Sequence, residues 1–540
     1  MDNITPMQNA PEEPVLEMDD IQGLAIPGFL KPHMTLLGLK YADRQVLINF
    51  KELLKTFADE VSTARITLDN RRDFRKLRAQ EHKRFPEDNP SVTLIAIGFT
   101  AAGISKLTPG AMSISSEAFQ QGLAARSALL GDPTEPEAEG NPVNWVVGGL
   151  GKELDALIVV AGDKRDDVDK KAEELAERFR RAGVEIAYTE NGDVRPDCRG
   201  REHFGFDDGV SQPGIRGRAS EDSEDYVEDR YIDPQQTPEA WLFALPGQDL
   251  VWTGEFVLGY PTTSPDPLIP GPISQTAPEW TRNGSFLVFR RLRQDVSLFW
   301  QTMKERAEAI SKLPGFQNMT YDTLAARLVG RWASGAPVNR VPEKDDPKLG
   351  NDRRANNNFR FDSDSFPFDL KSGYKDKYPM AEADPAGTTC PWAAHIRKLN
   401  LRDSASDMGG RDSTYSRRIF RTGIPFGKPL EDPFADQRDD PEQGNRGLLF
   451  LCIQSSIESQ FEFLTTRWMG DPTRPKTPGG HDILIGQNPA PGENRERRCV
   501  IFGSGLQQAQ LSFQQEWVIP TGGGYFFLPP VNALRQVLSA

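Results

Sequence analysis

Two separated parts of this chain repeat one order of elements, and that repeat constrains the fold more than any other feature. MTLLGLKY (Met34–Tyr41) reads as a strand, and Leu47, Phe50, Leu54, Phe57 and Val61 follow it at helical spacing. SVTLIAIGF (Ser91–Phe99) is a continuous apolar strand of buried type, and AAGISKL after it predicts a helix start. DALIVVAG (Asp155–Gly162) is a third strand. The charged stretch DVDKKAEELAERFRRAG then turns Val168, Leu175 and Phe179 to one side and stops at Gly183. VEIAYTE (Val184–Glu190) completes the set, and strand–helix–strand taken twice is the ferredoxin-like pattern. The second half restarts at GSFLVFRRL (Gly284–Leu292) and runs into the helix DVSLFWQTMKERAEAI. GLLFLCIQSS (Gly447–Ser456) and YFFLPP (Tyr525–Pro530) are its later strands. The expected fold is α+β, with two ferredoxin-like domains built on antiparallel sheets.

The domain boundaries follow from the same pass. Residues 1–18 read as a disordered tail, 19–215 as the N-terminal domain with GFDDG at its end, 216–280 as a proline-rich connector and 281–540 as the C-terminal domain. From about 318 to 445 the second domain carries a loop-rich insertion, longer than an ordinary domain holds without a functional or cofactor reason. A chain of 540 residues is long enough to bury cores of this size.

Composition removes several classes of function. The net charge is −14 and the pI about 5.1, which argues against a nucleic-acid backbone as partner. The four cysteines, Cys198, Cys390, Cys452 and Cys499, form no C-x-x-C, so a zinc ribbon, a thioredoxin motif and a c-type haem attachment lack support. The opening MDNITPMQNAPEEPVLEMDD has no apolar core of a signal peptide, and no run approaches the ~18 apolar residues of a membrane span. The expectation is a cytoplasmic protein without membrane contact, export by another route left open. No G-x-S-x-G, Walker A loop or H-E-x-x-H occurs.

Three stretches carry chemistry. In HFGFDDGVSQP (His203–Pro213) two aspartates, Asp207 and Asp208, stand between glycines and beside Phe204 and Phe206. In CPWAAHIRKLNLRD an apolar run ends in His395 and at once turns basic. A neutral imidazole on an apolar wall with cations nearby suits a haem, which needs an axial nitrogen and partners for two propionates; a satisfied core or surface histidine fits the same residues. In RRIFRTGIPFG (Arg417–Gly427) Arg421 interrupts a strand-like segment, either as a snorkelling surface cation or facing an anionic site. The other histidines give less: His33 and His82 lie in polar contexts that suit the surface. A zinc site begun by Cys390 and His395 finds no matching pair.

Together, GFDDG, AAHIRK and IFRTGIPFG resemble the dye-decolorizing peroxidases, a haem family with two ferredoxin-like domains. Supporting stretches, among them GEFVLGYPT, RGLLFLCIQSSIESQFEFL and TGGGYFFLPP, run in the family's order from about residue 19 onward. The long insertions make the chain similar to the fungal and related bacterial members. The resemblance implies haem b, one per chain, in the C-terminal domain. It implies a haem peroxidase that reduces hydrogen peroxide and oxidises dyes, phenolics or other one-electron donors through a ferryl intermediate, and it admits a homodimer. By the same resemblance Asp208 and Arg421 are catalytic, His395 is the iron ligand, and Leu448 and Phe450 line the pocket. Asp482 holds the imidazole, and Arg402 and Arg397 meet the propionates. Phe204 and Phe206 become pocket wall, Asp207 points away, and Trp468 is a candidate surface relay for bulky aromatic reductants. Other tasks for the same residues are removing iron from haem, or carrying or sensing haem without catalysis.

Overall fold

The structure is a computed structural model that describes residues 10–81, 91–110, 113–198, 200–237, 239–434, 445–477, 479–487 and 495–540. His82 lies outside the described residues. The first half supplies β1 (His33–Lys40), α1 (Arg44–Phe57), β2 (Thr93–Phe99), β3 (Ala156–Gly162), α2 (Arg165–Arg181) and β4 (Glu185–Asp193). The second supplies β5 (Ser285–Gln294), α3 (Val296–Ile310), α4 (Tyr321–Val329), α5 (His395–Leu399), β6 (Phe420–Arg421), β7 (Ile424–Phe426), β8 (Gly447–Gln454) and β9 (Val518–Leu528).

These nine strands form one sheet in the order β6–β8–β5–β9–β2–β3–β1–β4, with β7 beside β6 on β8. Every pairing is antiparallel. Within each half the order is that of a ferredoxin-like unit, as the repeat predicts, but the halves are not separate sheets. They fuse where Phe527 pairs with Phe99. The outer edges of the sheet also approach: Gly192 has no Cβ where the Cγ2 of Ile424 sits, yet this contact does not close the ladder.

Helices and loops cover both faces. Phe50, Leu54 and Phe57 of α1 and Val168, Leu175 and Phe179 of α2 are buried in one cluster on the sheet, the amphipathic pattern read from the sequence. Helix α1 ends at Phe57, short of Val61, which is buried all the same. Gly183 takes φ 87° just past α2, a left-handed stop that glycine adopts without a Cβ penalty.

Part of the expected 1–18 tail is packed against the fold. Glu13, Leu16 and Met18 are buried, and the Glu13 carboxylate pairs with the guanidinium groups of Arg216 and Arg230 at 3.2 and 2.7 Å. The insertion also has its own core: Trp332, Val338, Leu349, Phe359, Phe361, Cys390 and Ala394 pack together, with the short helix Pro347–Asn351 among them. No helix of the described residues is long and apolar enough to cross a membrane.

Candidate active site

The GFDDG loop is shaped by glycines and anchored by its phenylalanines. Gly200, Gly205 and Gly209 take φ of 92°, 99° and 77°. Phe204 stacks on Phe299 with ring centroids 4.4 Å apart, and Phe206 lies parallel to Trp300 at 6.2 Å. Both rings are therefore anchors packed on α3 rather than the pocket wall expected of them. Fixed in this way, the loop presents Asp208 outward. Its Oδ1 accepts from the Gly209 amide at 2.7 Å and from Arg421 Nη1 at 2.9 Å. The two side chains are 36% and 25% exposed, so the pair faces an open space rather than the core. Asp207 turns the other way, its Oδ2 against Gly335 and its charge supporting that of Arg331.

Arg421 lies on β6 opposite Cys452 of β8. Opposed residues of an antiparallel pair share a face, which puts Arg421 on the face of Leu448 and Phe450. Those two are half-buried while Leu449 and Leu451 between them are fully buried, so one face of β8 remains open beside Arg421. The backbone of Arg421 is gripped by Gln212, whose amide donates to its carbonyl and accepts from its N–H.

His395 opens α5. Its Nδ1 is 2.6 Å from Oδ2 of Asp482, a fully buried carboxylate, and its own side chain is 21% exposed. Burial alone would raise the Asp482 carboxyl. The adjacent imidazole and the amides of Leu484 and Ile485 outweigh it and hold the group below its usual range. An ionised carboxylate must accept, so Nδ1 donates to Asp482 and Nε2 is the ring nitrogen left over for a metal. Ala393 and Ile483 pack in the cluster that holds Phe204 and Phe206, which joins the imidazole to the GFDDG loop.

Two buried cations complete the site. Arg402 donates to the carbonyls of Asn357 and Phe359, each at 3.0 Å, and to Asn357 Oδ1 at 2.6 Å. Arg331 donates to the same Oδ1 at 2.8 Å and to Ser211 Oγ at 2.9 Å. Both guanidinium groups lie over the Phe359 ring, and burial pushes them down to about 9 and about 10. Among the described residues neither is bonded to a carboxylate. Neighbouring buried cations held only by neutral acceptors are unfavourable unless an anion joins them.

The family model described as the DyP dimeric alpha+beta barrel domain matches residues 20–196. A dye-decolorizing peroxidase of Auricularia auricula-judae is 32% identical over 405 residues, 74% of this chain and 68% of that protein. The chain belongs to the dye-decolorizing peroxidase family. The structure of an ancestral D-type dye-decolorizing peroxidase superposes with a TM-score of 0.73 at 31% identity, covering 98% of this chain and 100% of the other. A dye-decolorizing peroxidase solved in complex with 2,6-dimethoxyphenol gives 0.70 at 27% identity, covering 97% and 100%.

Dye-decolorizing peroxidases are haem-dependent, and the residues present fit a haem. The described residues hold no cluster of three or more His, Cys, Asp or Glu able to bind a bare metal ion. A single imidazole suffices only where a macrocycle supplies the other ligands.

Two site residues expected of a dye-decolorizing peroxidase are placed elsewhere. Arg397 is fully buried between Phe361 and Trp392, and its guanidinium is bonded to the Asp384 carboxylate, the Asp384 carbonyl and the Cys390 carbonyl. It is a structural cation already paired with the Asp384 carboxylate. Trp468 is fully buried in a cluster with Trp392 and Leu401, its indole N–H 3.3 Å from Asp407, so it is no surface contact for a bulky donor. Sequence reasoning missed four residues. Ser211 and Gln212 stand within the quoted HFGFDDGVSQP and were open to notice. Arg331 and Asn357 lie in the insertion, where no periodicity singles them out.

Proposed function

We propose that this chain reduces hydrogen peroxide at one haem b per chain and passes the oxidising equivalents to dyes, phenolics or other one-electron donors. The observation that carries this reading is the Asp208–Arg421 pair, 2.9 Å apart beside the open face of β8, in a chain whose His395 is backed by a buried carboxylate. His395 would hold the iron through Nε2, with Asp482 fixing its tautomer. Arg402 and Arg331 would meet the propionates. Bound there, haem supplies the iron and the redox capacity of the reaction. Residues 19–215 contribute Asp208 and Gln212, and residues 281–540 contribute Arg421, His395, Asp482, Arg402 and Arg331, so the two halves divide the chemistry.

Asp208 takes a proton from peroxide and delivers it to the departing oxygen, which leaves as water. Arg421, held by Gln212, stabilises negative charge on that oxygen with a cation already in position. Leu448 and Phe450 limit the water around the pair. The relative solved with 2,6-dimethoxyphenol supports phenolic donors. A protein that only carried haem would need His395 and Asp482 and would give the Asp208–Arg421 pair no task.

The test is the absorption spectrum of the haem-loaded protein before and after one equivalent of peroxide. A Soret band that shifts within the mixing time supports the proposal, with the shift slowed by orders of magnitude in Asp208→Asn and Arg421→Leu. Absence of a Soret band after haem supplementation overturns it, as does an undiminished rate in both variants.

A further inference from the structure

Glu202 stands six residues before Asp208, and the proposed mechanism gives it no part. Its carboxylate is nonetheless the hub of the loop. Oε1 accepts from the Phe206 amide at 2.9 Å; Oε2 accepts from the Phe204 amide at 2.7 Å and from the side-chain amide of Gln294. The Glu202 N–H donates to the Phe206 carbonyl at 3.0 Å and the Gly205 N–H to the Glu202 carbonyl at 2.9 Å, so residues 202–206 wrap around the carboxylate. Gln294 is the last residue of β5, and its amide oxygen accepts from the His203 N–H, which ties the turn to the sheet. Asp208 leaves the turn with its N–H bonded to the Gly200 carbonyl at 2.9 Å.

We propose that Glu202 is the positioning residue for Asp208: its carboxylate folds the turn that presents Asp208 to Arg421, and its negative charge lies against that of the aspartate. The inference rests on the reading that Asp208 carries the peroxide proton.

The charges around Asp208 show why this neighbour counts. Arg421 is bonded to it, Asp207 adjoins it but faces Arg331, and Arg201 lies across the bridge from Asp207. Behind the turn Arg195 donates to the Glu202 carbonyl at 2.8 Å and is paired with Asp197. Among the described residues no cation bonds directly to the Glu202 carboxylate. Withdrawal from water raises its carboxyl, the amides of Gln294, Phe204 and Phe206 pull it down, and the charge of Asp208 adds to the rise. Repulsion between two carboxylates is mutual, so Glu202 opposes negative charge on Asp208 to the same degree.

Glu202→Gln keeps the shape and one accepting oxygen but removes the charge. In the haem-loaded enzyme, the acidic limb of the pH profile for the reaction with peroxide should move to lower pH by about one unit. Gln294→Leu, which withdraws the donor and makes charge on Glu202 less favourable, should move it the same way. A readout independent of turnover is amide hydrogen exchange in the haem-free protein. Exchange at Phe204 and Phe206 should quicken on the order of tenfold or more in Glu202→Ala, with amides of β3 unchanged. Limbs that stay put in both charge variants, or unaltered exchange at those two amides, overturn the inference. Asp208→Asn separates the two readings. If it is slow while Glu202→Gln leaves the profile in place, the inference alone fails. If it reacts at the wild-type rate, the proton role of Asp208 fails and takes the inference with it.

Discussion

At the scale of single residues, the adjacent acids Asp207 and Asp208 are separated by direction rather than by chemistry. Asp208 reaches Arg421, and Asp207 lies against Gly335 with its charge toward the buried Arg331. Asp208→Asn should therefore slow the reaction with peroxide by roughly 10²–10⁴, the usual worth of a positioned acid–base group, and stopped-flow mixing will measure it. Asp207→Asn should leave that rate within a few-fold. The imidazole gives a second prediction. Asp482→Asn keeps the volume but removes the charge that fixes the Nδ1 proton, and should weaken haem affinity by about 10–100-fold in a titration of haem into the haem-free protein. These residues were legible because each sits in a short motif with an unusual mixture of types. Arg397 and Arg402 were both named from one basic run, and nothing local distinguishes them. The difference is made by Asp384, which neutralises Arg397 from the preceding loop.

At the scale of elements, continuous apolar runs predicted strands such as β2 and β3, because a strand covered on both faces has no polar side to show. What they did not show is the join at Phe99 and Phe527, since one pair of apolar residues looks like any other. The insertion was opaque for the opposite reason: its core comes from scattered residues such as Trp332, Phe359 and Cys390, which follow no period. The shortest strand matters most to the chemistry. β6 has two residues, Phe420 and Arg421, too few for its ladder alone to hold an arginine in one place. Gln212 bonds both backbone groups of Arg421 and so makes up for that short ladder. Gln212→Leu should lower the rate with peroxide on the order of tenfold or more while leaving haem affinity unchanged, because His395 and Arg402 are untouched. Equal loss of haem affinity and rate would mean that Gln212 supports the whole pocket rather than Arg421.

At the scale of the molecule, the proposed aspartate at the peroxide site should favour activity in acid, where a histidine in that place would be protonated. The fold sets a limit in the same range. His203 is buried, its Nε2 donates to the Phe426 carbonyl at 2.8 Å, and its Nδ1 has no partner. Burial pushes it down to about 4, and the nearby Arg195 and Arg446 push the same way. Burial likewise lowers His481 to about 4, its Nδ1 accepting the Arg498 amide at 3.0 Å. Both folded values lie below the ordinary histidine value, so between about 4 and about 6.5 the unfolded chain binds more protons than the folded one. Stability from these two groups is complete above about pH 6.5 and is lost as pH falls toward 4, by on the order of 3 kcal/mol for each. Urea unfolding from pH 7 down to pH 4 should show that slope, and His203→Gln, which keeps a donor for Phe426 without a titrating ring, should make it shallower. A slope unchanged in that variant would place the acid sensitivity elsewhere. Acid that favours turnover should thus also loosen the fold, through two histidines outside the proposed chemistry.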